Sequence, residues 1–105
     1  MSALELLHKL PLAINLQSTA GVDRTIQFNI SQPAYVVIRN GACEVMEGSA
    51  ENADLSLKMS DGDLVSLLTG KLDGMAAMMT GKLKLQGDMA LAAQLGRYFD
   101  ASKLQ

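Results

Sequence analysis

Tryptophan is absent from this 105-residue sequence, cysteine and histidine occur once each, and proline only twice. A single cysteine, Cys43, excludes an internal disulfide and points to a reducing compartment. With one histidine, His8, and one cysteine, a transition-metal site would have to be built around carboxylates. His8 lies on an N-terminal helical stretch, where a solvent-facing role outweighs that of a general base. No Gly-x-Ser-x-Gly elbow occurs, and Cys43 has no base visible in the sequence around it. The Gly70-Lys71 and Gly81-Lys82 pairs imitate the end of a phosphate loop, but neither has a glycine five residues earlier, and leucine follows each lysine. The acidic group Asp61, Asp63 and Asp73 lacks the spacing of a calcium loop and fits helix starts instead. Four aromatic residues, Phe28, Tyr35, Tyr98 and Phe99, are too few for a base-stacking platform. A formal charge of −2 offers neither nucleic acid nor anionic lipid an electrostatic footprint, so any membrane contact is expected to be hydrophobic or transient. No stretch approaches the roughly twenty apolar residues of a membrane span, and the N-terminus lacks the pattern of a secretory signal. These absences lead us to expect a soluble cytoplasmic protein with neither catalytic machinery nor cofactor.

Apolar side chains are plentiful. They make up 49% of the sequence, enough for one core in one domain over residues 1–105. Seven are methionines, and Met59, Met75, Met78, Met79 and Met89 fall in the second half. Thioether side chains are unbranched and polarizable, suited to an awkward core or to a cavity whose occupant varies in shape. Leu4, Leu7 and Leu10 predict a short amphipathic helix over residues 2–10 that ends near Pro11, with further helical turns before Gly21. Ile26, Phe28 and Ile30 alternate with Thr25, Gln27 and Asn29 as in a strand covered on one side. Residues 34–39 form a second strand, and Asn40-Gly41 is a strong hairpin signal because both residues tolerate positive φ. Cys43, Val45 and Glu47 share a face of the third strand, and Leu55, Leu57 and Met59 one of the fourth. Ser60-Asp-Gly-Asp63 then opens a helix with Leu64, Leu67 and Leu68 on its apolar stripe. Asp73 starts a short helix carrying Met75, Met78 and Met79.

Thr-Gly-Lys-Leu occurs at Thr69 and again at Thr80. Two helices that each stop at glycine and re-enter extended chain explain the recurrence without an internal duplication. After Thr80 come a short strand with Leu83 and Leu85 on one face, a turn at Gly87, and a helix capped by Asp88 and rich in Met89, Leu91, Ala92, Ala93 and Leu95. So little of that helix is polar that it is expected to line an apolar space or lie against a sheet. Residues 97–105 are expected to finish this helix and then fray, with Tyr98 and Phe99 packed. Ser102-Lys103-Leu104 spells a peroxisomal address, but Gln105 follows it.

The Thr80–Leu95 stretch, Thr-Gly-Lys-Leu-Lys-Leu-Gln-Gly-Asp-Met-Ala-Leu-Ala-Ala-Gln-Leu, resembles the lipid-binding signature of the sterol carrier protein 2 (SCP2) family. The resemblance extends through Asp54–Ser60 and Thr69–Asp73, and more loosely to Ile26–Ile30. It implies an α+β fold in which a five-stranded sheet is covered on one face by helices, with an apolar cavity between the layers. It implies no catalysis, but the sequestration of a fatty acid, acyl-CoA, phospholipid, sterol or isoprenoid. The lining candidates are Leu57, Met59, Leu64, Leu68, Met75, Met79, Leu83, Leu85, Met89, Ala92 and Leu95. Lys71, Lys82 and Lys84 read first as ordinary solvated strand and loop lysines, with a place near the pocket mouth as the alternative. A different class of function also fits the fold: an accessory or assembly subunit that presents a lipid-like intermediate, such as a quinone precursor, to a partner enzyme in trans. An assembly role, with a homodimer as one form, draws on Tyr98, Phe99 and the Leu4/Leu7 face as adhesive surfaces. Gly74 stands where relatives often have proline, and Met78 where they have an aromatic, which loosens the short helix and softens the wall.

Overall fold

The computed structural model describes residues 2–104. Ser2 opens α1 (Ala3–His8) with a closed capping box: its hydroxyl accepts the Glu5 N–H at 3.1 Å, and the Glu5 carboxylate accepts the Ser2 N–H at 3.4 Å. The buried stripe is Ala3, Leu6 and Leu7, continued by Leu10, whereas Leu4 is only half-buried. Leu6, which a strict three-residue spacing passes over, is as fully buried as Leu7 and Leu10. Pro11 does not end the helical region but lies in the first turn of α2 (Leu10–Ala13), where a missing N–H has no intrahelical partner to lose. The chain extends at Ile14, and Asn15 then caps α3 (Leu16–Thr19), its side-chain oxygen accepting the Gln17 and Ser18 N–H groups.

Five strands follow the predicted order: β1 (Asp23–Asn29), β2 (Ala34–Arg39), β3 (Ala42–Glu47), β4 (Leu55–Lys58) and β5 (Lys84–Gly87). They assemble as β3-β2-β1-β4-β5, with β4 parallel to β1 and every other pair antiparallel. Asn40 (φ 46°) and Gly41 (φ 85°) make the turn between β2 and β3. Registers place Ile26 and Phe28 beside Val36 and Ala34 on one side and beside Leu55 and Leu57 on the other, so these side chains share one face. That face is buried and supports the helices; the opposite face carries Thr25, Tyr35, Glu44, Lys58 and Lys84. Gln27 lies on that second face yet is buried. Its amide donates to the Ala34 and Gly48 carbonyls and accepts the Ala50 N–H, so the loop after β3 closes over it.

The two Thr-Gly-Lys-Leu segments end α4 (Asp61–Leu68) and α5 (Gly74–Met79) in the same way. Gly70 and Gly81 have φ of 80° and 78°, and Lys71 and Lys82 each donate to a carbonyl five residues back, at 2.8 Å in both cases. Thr69 and Thr80 each return a hydroxyl to the carbonyl four residues earlier, at 2.7 and 2.9 Å. The repeated tetrapeptide is thus one helix-stop device, a Schellman turn, used twice.

Candidate functional site

Gly87 fixes where the last helix begins. Its φ is 117°, and a Cβ there would stand 2.5 Å from the Asp54 carbonyl oxygen, so the turn after β5 can press against the start of β4 only with glycine. The Asp88 N–H donates to the same carbonyl at 2.9 Å, while the Asp88 carboxylate caps α6 (Met89–Tyr98) by accepting the Leu91 N–H at 3.1 Å. Asp54 also clamps β4 to β1, its carboxylate accepting the Thr25 N–H at 2.7 Å. These bonds lay α6 across β4 and β5. Leu91 is buried, and Ala92 and Leu95 are half-buried.

Between α6, α4, α5 and the apolar sheet face lies a cleft of about 1250 Å³. The registers Phe28↔Leu57 and Leu57↔Leu85 supply its floor, one row across three strands. Leu67, Leu68, Met75 and Met78 supply one wall, and Met89, Ala92 and Leu95 another. The chain ends close the site. Leu10 lines it, as do Phe99 and Leu104, and the C-terminal segment is held by its backbone. The Asn15 N–H donates to the Tyr98 carbonyl at 2.7 Å, and the Asp100 N–H to the Ala13 carbonyl at 2.8 Å, flanking an antiparallel bridge between Ile14 and Phe99.

Eight of the sequence-derived lining candidates meet in this cleft: Leu57, Leu68, Met75, Leu83, Leu85, Met89, Ala92 and Leu95. Three stand elsewhere. Leu64 is wholly buried among the core side chains because α4 turns it inward. Met59 leaves β4 towards a second, smaller depression. Met79, at the last position of α5, is 83% exposed. Asp73 occupies the cap position of α5 but makes no side-chain cap bond. The tail does not fray: residues 101–104 form a 3-10 helix, and Leu104 is buried. Tyr98 and Leu7, expected as adhesive surface, are buried too, and the Tyr98 hydroxyl donates to Gln94 at 2.8 Å. Sequence reasoning left Leu10, Phe28, Phe99 and Leu104 out of the site. For Phe28 a signal existed, since it lies on the buried face of its strand, but only the β1–β4 pairing puts it beside Leu57.

Lys71 and Arg97 stand at the cleft with Asp73 and Asp100, so the charges along its rim cancel. Ser102 donates its hydroxyl and N–H to the Asp100 carboxylate, which holds that group below the usual carboxylate range. Lys82 and Lys84 line the second depression instead. His8 pairs with Glu47 at 3.4 Å on β3, and Cys43 is on the same strand, at the opposite edge of the sheet from the cleft. Burial, and then the charge of Glu44, push the Cys43 thiol up to about 11. Among the described residues no group of three or more His, Cys, Asp or Glu side chains is placed to hold a metal ion, and no helix is long and apolar enough to cross a membrane.

Residues 5–100 match the model of the SCP-2 sterol transfer family. Sterol carrier protein 2 of Bos taurus is 42% identical over 60 residues, 57% of this chain and 11% of the bovine one, so the chain spans about a tenth of that relative's length. Among solved structures, a sec-alkylsulfatase from Pseudomonas sp. superposes with a TM-score of 0.80 at 24% identity, over 91% of this chain and 16% of the enzyme. Sterol Carrier Protein-2 of Aedes aegypti, solved with palmitate, superposes with a TM-score of 0.73 at 17% identity, over 98% of this chain and 97% of the mosquito protein. The matched span takes in every strand and the helices α4 to α6 that enclose the cleft, and the chain belongs to the SCP-2 sterol transfer family.

Proposed function

We propose that this chain is a non-catalytic lipid carrier that holds an apolar ligand in the cleft between sheet and helices. The observation that carries the reading is the cleft itself: about 1250 Å³, floored and walled by Phe, Leu, Met and Ala side chains, in a member of a sterol transfer family. Ligand pockets for small molecules usually measure about 300–1,000 Å³, so this one has room for a long chain. Burying a chain of about sixteen carbons yields on the order of 12 kcal/mol before the association costs of about 4–15 kcal/mol. No polar anchor is needed for binding.

The rim supports selection by the chain rather than by the headgroup. Two cations and two carboxylates stand there, so neither an acidic nor a basic headgroup is strongly preferred. The ligand classes that fit are fatty acid, acyl-CoA, phospholipid, sterol and isoprenoid, with palmitate the natural first probe because the mosquito relative was solved with it. The only cysteine lies on the far edge strand of the sheet and the only histidine, at the end of α1, pairs with Glu47 of that strand, which supports a carrier over an enzyme. A cytoplasmic location agrees with one unpaired thiol.

Native mass spectrometry of freshly purified protein, followed by extraction and identification of what co-purifies, tests this reading. A discrete lipid near one equivalent supports it. Protein that is empty and takes up neither palmitate nor acyl-CoA nor isoprenoid probes removes the reading and leaves the cleft as incidental space.

A further inference from the structure

Met75, Met78 and Met89 line the cleft from two sides, the first two on α5 and the third at the start of α6, and they are 71%, 45% and 48% exposed. Met79, on the same helix as the first two, is more exposed than any of them and lies outside the cleft. Met59 is buried and Met46 half-buried, and neither lines the cleft. Leucine would supply nearly the same volume and apolar surface. What methionine adds at these places is flexibility and a sulfur lone pair. That lone pair needs no deprotonation to attack a peroxide, only access, which the exposure of the three side chains provides. The cysteine sulfur is less able to take the oxidant. A thiol reacts as its thiolate, and Cys43, half-buried on the far edge strand, is held in the thiol form by burial and by the charge of Glu44.

We propose that Met75, Met78 and Met89 are a sulfoxidation site through which a peroxide empties the cleft. The sulfur lone pair attacks one oxygen of hydrogen peroxide, the S–O bond forms as the O–O bond breaks, and the proton of the transferred hydroxyl passes to the departing hydroxide. Methionine sulfoxide and water result, the sulfur giving up two electrons and the peroxide taking them. The new side chain is polar. An acyl chain laid against it strips water from an S=O group, and the side chains of Leu67, Leu68 and Ala92 on the same walls donate no hydrogen bond in return. Each sulfoxide so buried should weaken binding about tenfold or more. Occupancy works in the other direction: a bound chain covers the same sulfurs and slows their oxidation, so cargo and oxygen exclude one another. The change is reversible, because sulfoxide reductases restore the thioether. The release of cargo rests on the carrier reading; the oxidation of the three sulfurs does not.

The test is hydrogen peroxide treatment of the folded protein, read by peptide mass spectrometry at each methionine and by palmitate affinity before and after. Oxygen should be gained at Met75, Met78, Met89 and Met79 but not at buried Met59, and the palmitate Kd should rise about tenfold or more. Palmitate added first should spare Met75, Met78 and Met89 while Met79 still oxidises. Methionine sulfoxide reductases should restore the affinity, which unfolding or over-oxidation would not allow. Two variants assign the effect. Met79→Leu, at a position outside the cleft, should lose palmitate on oxidation as the wild type does. Met75→Leu/Met78→Leu/Met89→Leu, read against its own affinity before treatment, should keep that affinity through peroxide. Untreated wild type that takes up no palmitate overturns the inference together with the carrier reading. Affinity that survives oxidation of all three sulfurs overturns the inference alone, as does equal shielding of Met79 by palmitate, a loss that Met79→Leu prevents, or the same loss in the triple variant.

Discussion

Leu85→Asp places a carboxylate in the middle of the cleft floor, where Leu85 is half-buried beside its cross-strand partner Leu57. The fold should survive, because β5 is an edge strand and the new group can stay hydrated when the cleft is empty. A bound acyl chain removes that option. Keeping the carboxylate wet withdraws about four methylenes from apolar contact, at roughly 0.8 kcal/mol each, or about 3 kcal/mol and two orders of magnitude in Kd. Thermal unfolding with palmitate reads the difference. At a ligand concentration about 100-fold above Kd the wild type gains about 2.7 kcal/mol, a rise on the order of 10 °C for a domain of this size. Under the same conditions the variant, with ligand near its own Kd, gains only about 0.4 kcal/mol and a degree or two. Leu85→Val, which keeps the surface apolar, should retain most of the shift. If Leu85→Asp folds and shows the full wild-type shift, the ligand does not lie on this floor.

Three further outcomes follow from named contacts. Gly87→Ala should cost about 2–4 kcal/mol, from left-handed strain plus collision with the Asp54 carbonyl, whereas Gly21→Ala, with φ 75° and open space around it, should lose only about 1–2 kcal/mol; equal losses in urea unfolding contradict the close approach. The Ser31 hydroxyl and N–H hold the Asp61 carboxyl below its ordinary 3.8, so the bond stabilises the fold above that value and is lost as pH falls through the folded pKa. Asp61→Asn should therefore flatten the acid limb of Tm against pH, and an unchanged limb would show that the bond does not contribute. With its thiol pushed up to about 11, Cys43 should resist iodoacetamide at pH 8 until urea unfolds the chain; rapid labelling of folded protein contradicts its burial.

Much of the fold was legible because local chemistry and tertiary structure agree. Period-two alternation marks the strands, Asn40-Gly41 marks a turn that needs two positive φ values, and the paired Thr-Gly-Lys-Leu segments mark two helix stops of one geometry. The eight lining candidates that meet in the cleft lie on strands and helices whose periodicity assigns an inward face. What sequence could not show is set by remote partners. Leu10 and Leu104 become cleft walls only because the backbone at residues 13–15 bonds to that at 98–100. Gln27 reads as the polar side of a strand, and its burial depends on a loop more than twenty residues away. Met75, Met78 and Met79 share a helix face in the sequence, but the axis of that short helix decides which of them reach the cleft, and Met79 does not.

The central claim, that the cleft holds an acyl chain, is tested most directly by NMR of the protein saturated with isotope-labelled palmitate. The account predicts one bound equivalent and intermolecular NOEs from the chain methylenes to Leu57, Leu85, Met89 and Ala92. NOEs confined to exposed Met79 and its surroundings, or no saturable binding at all, contradict it.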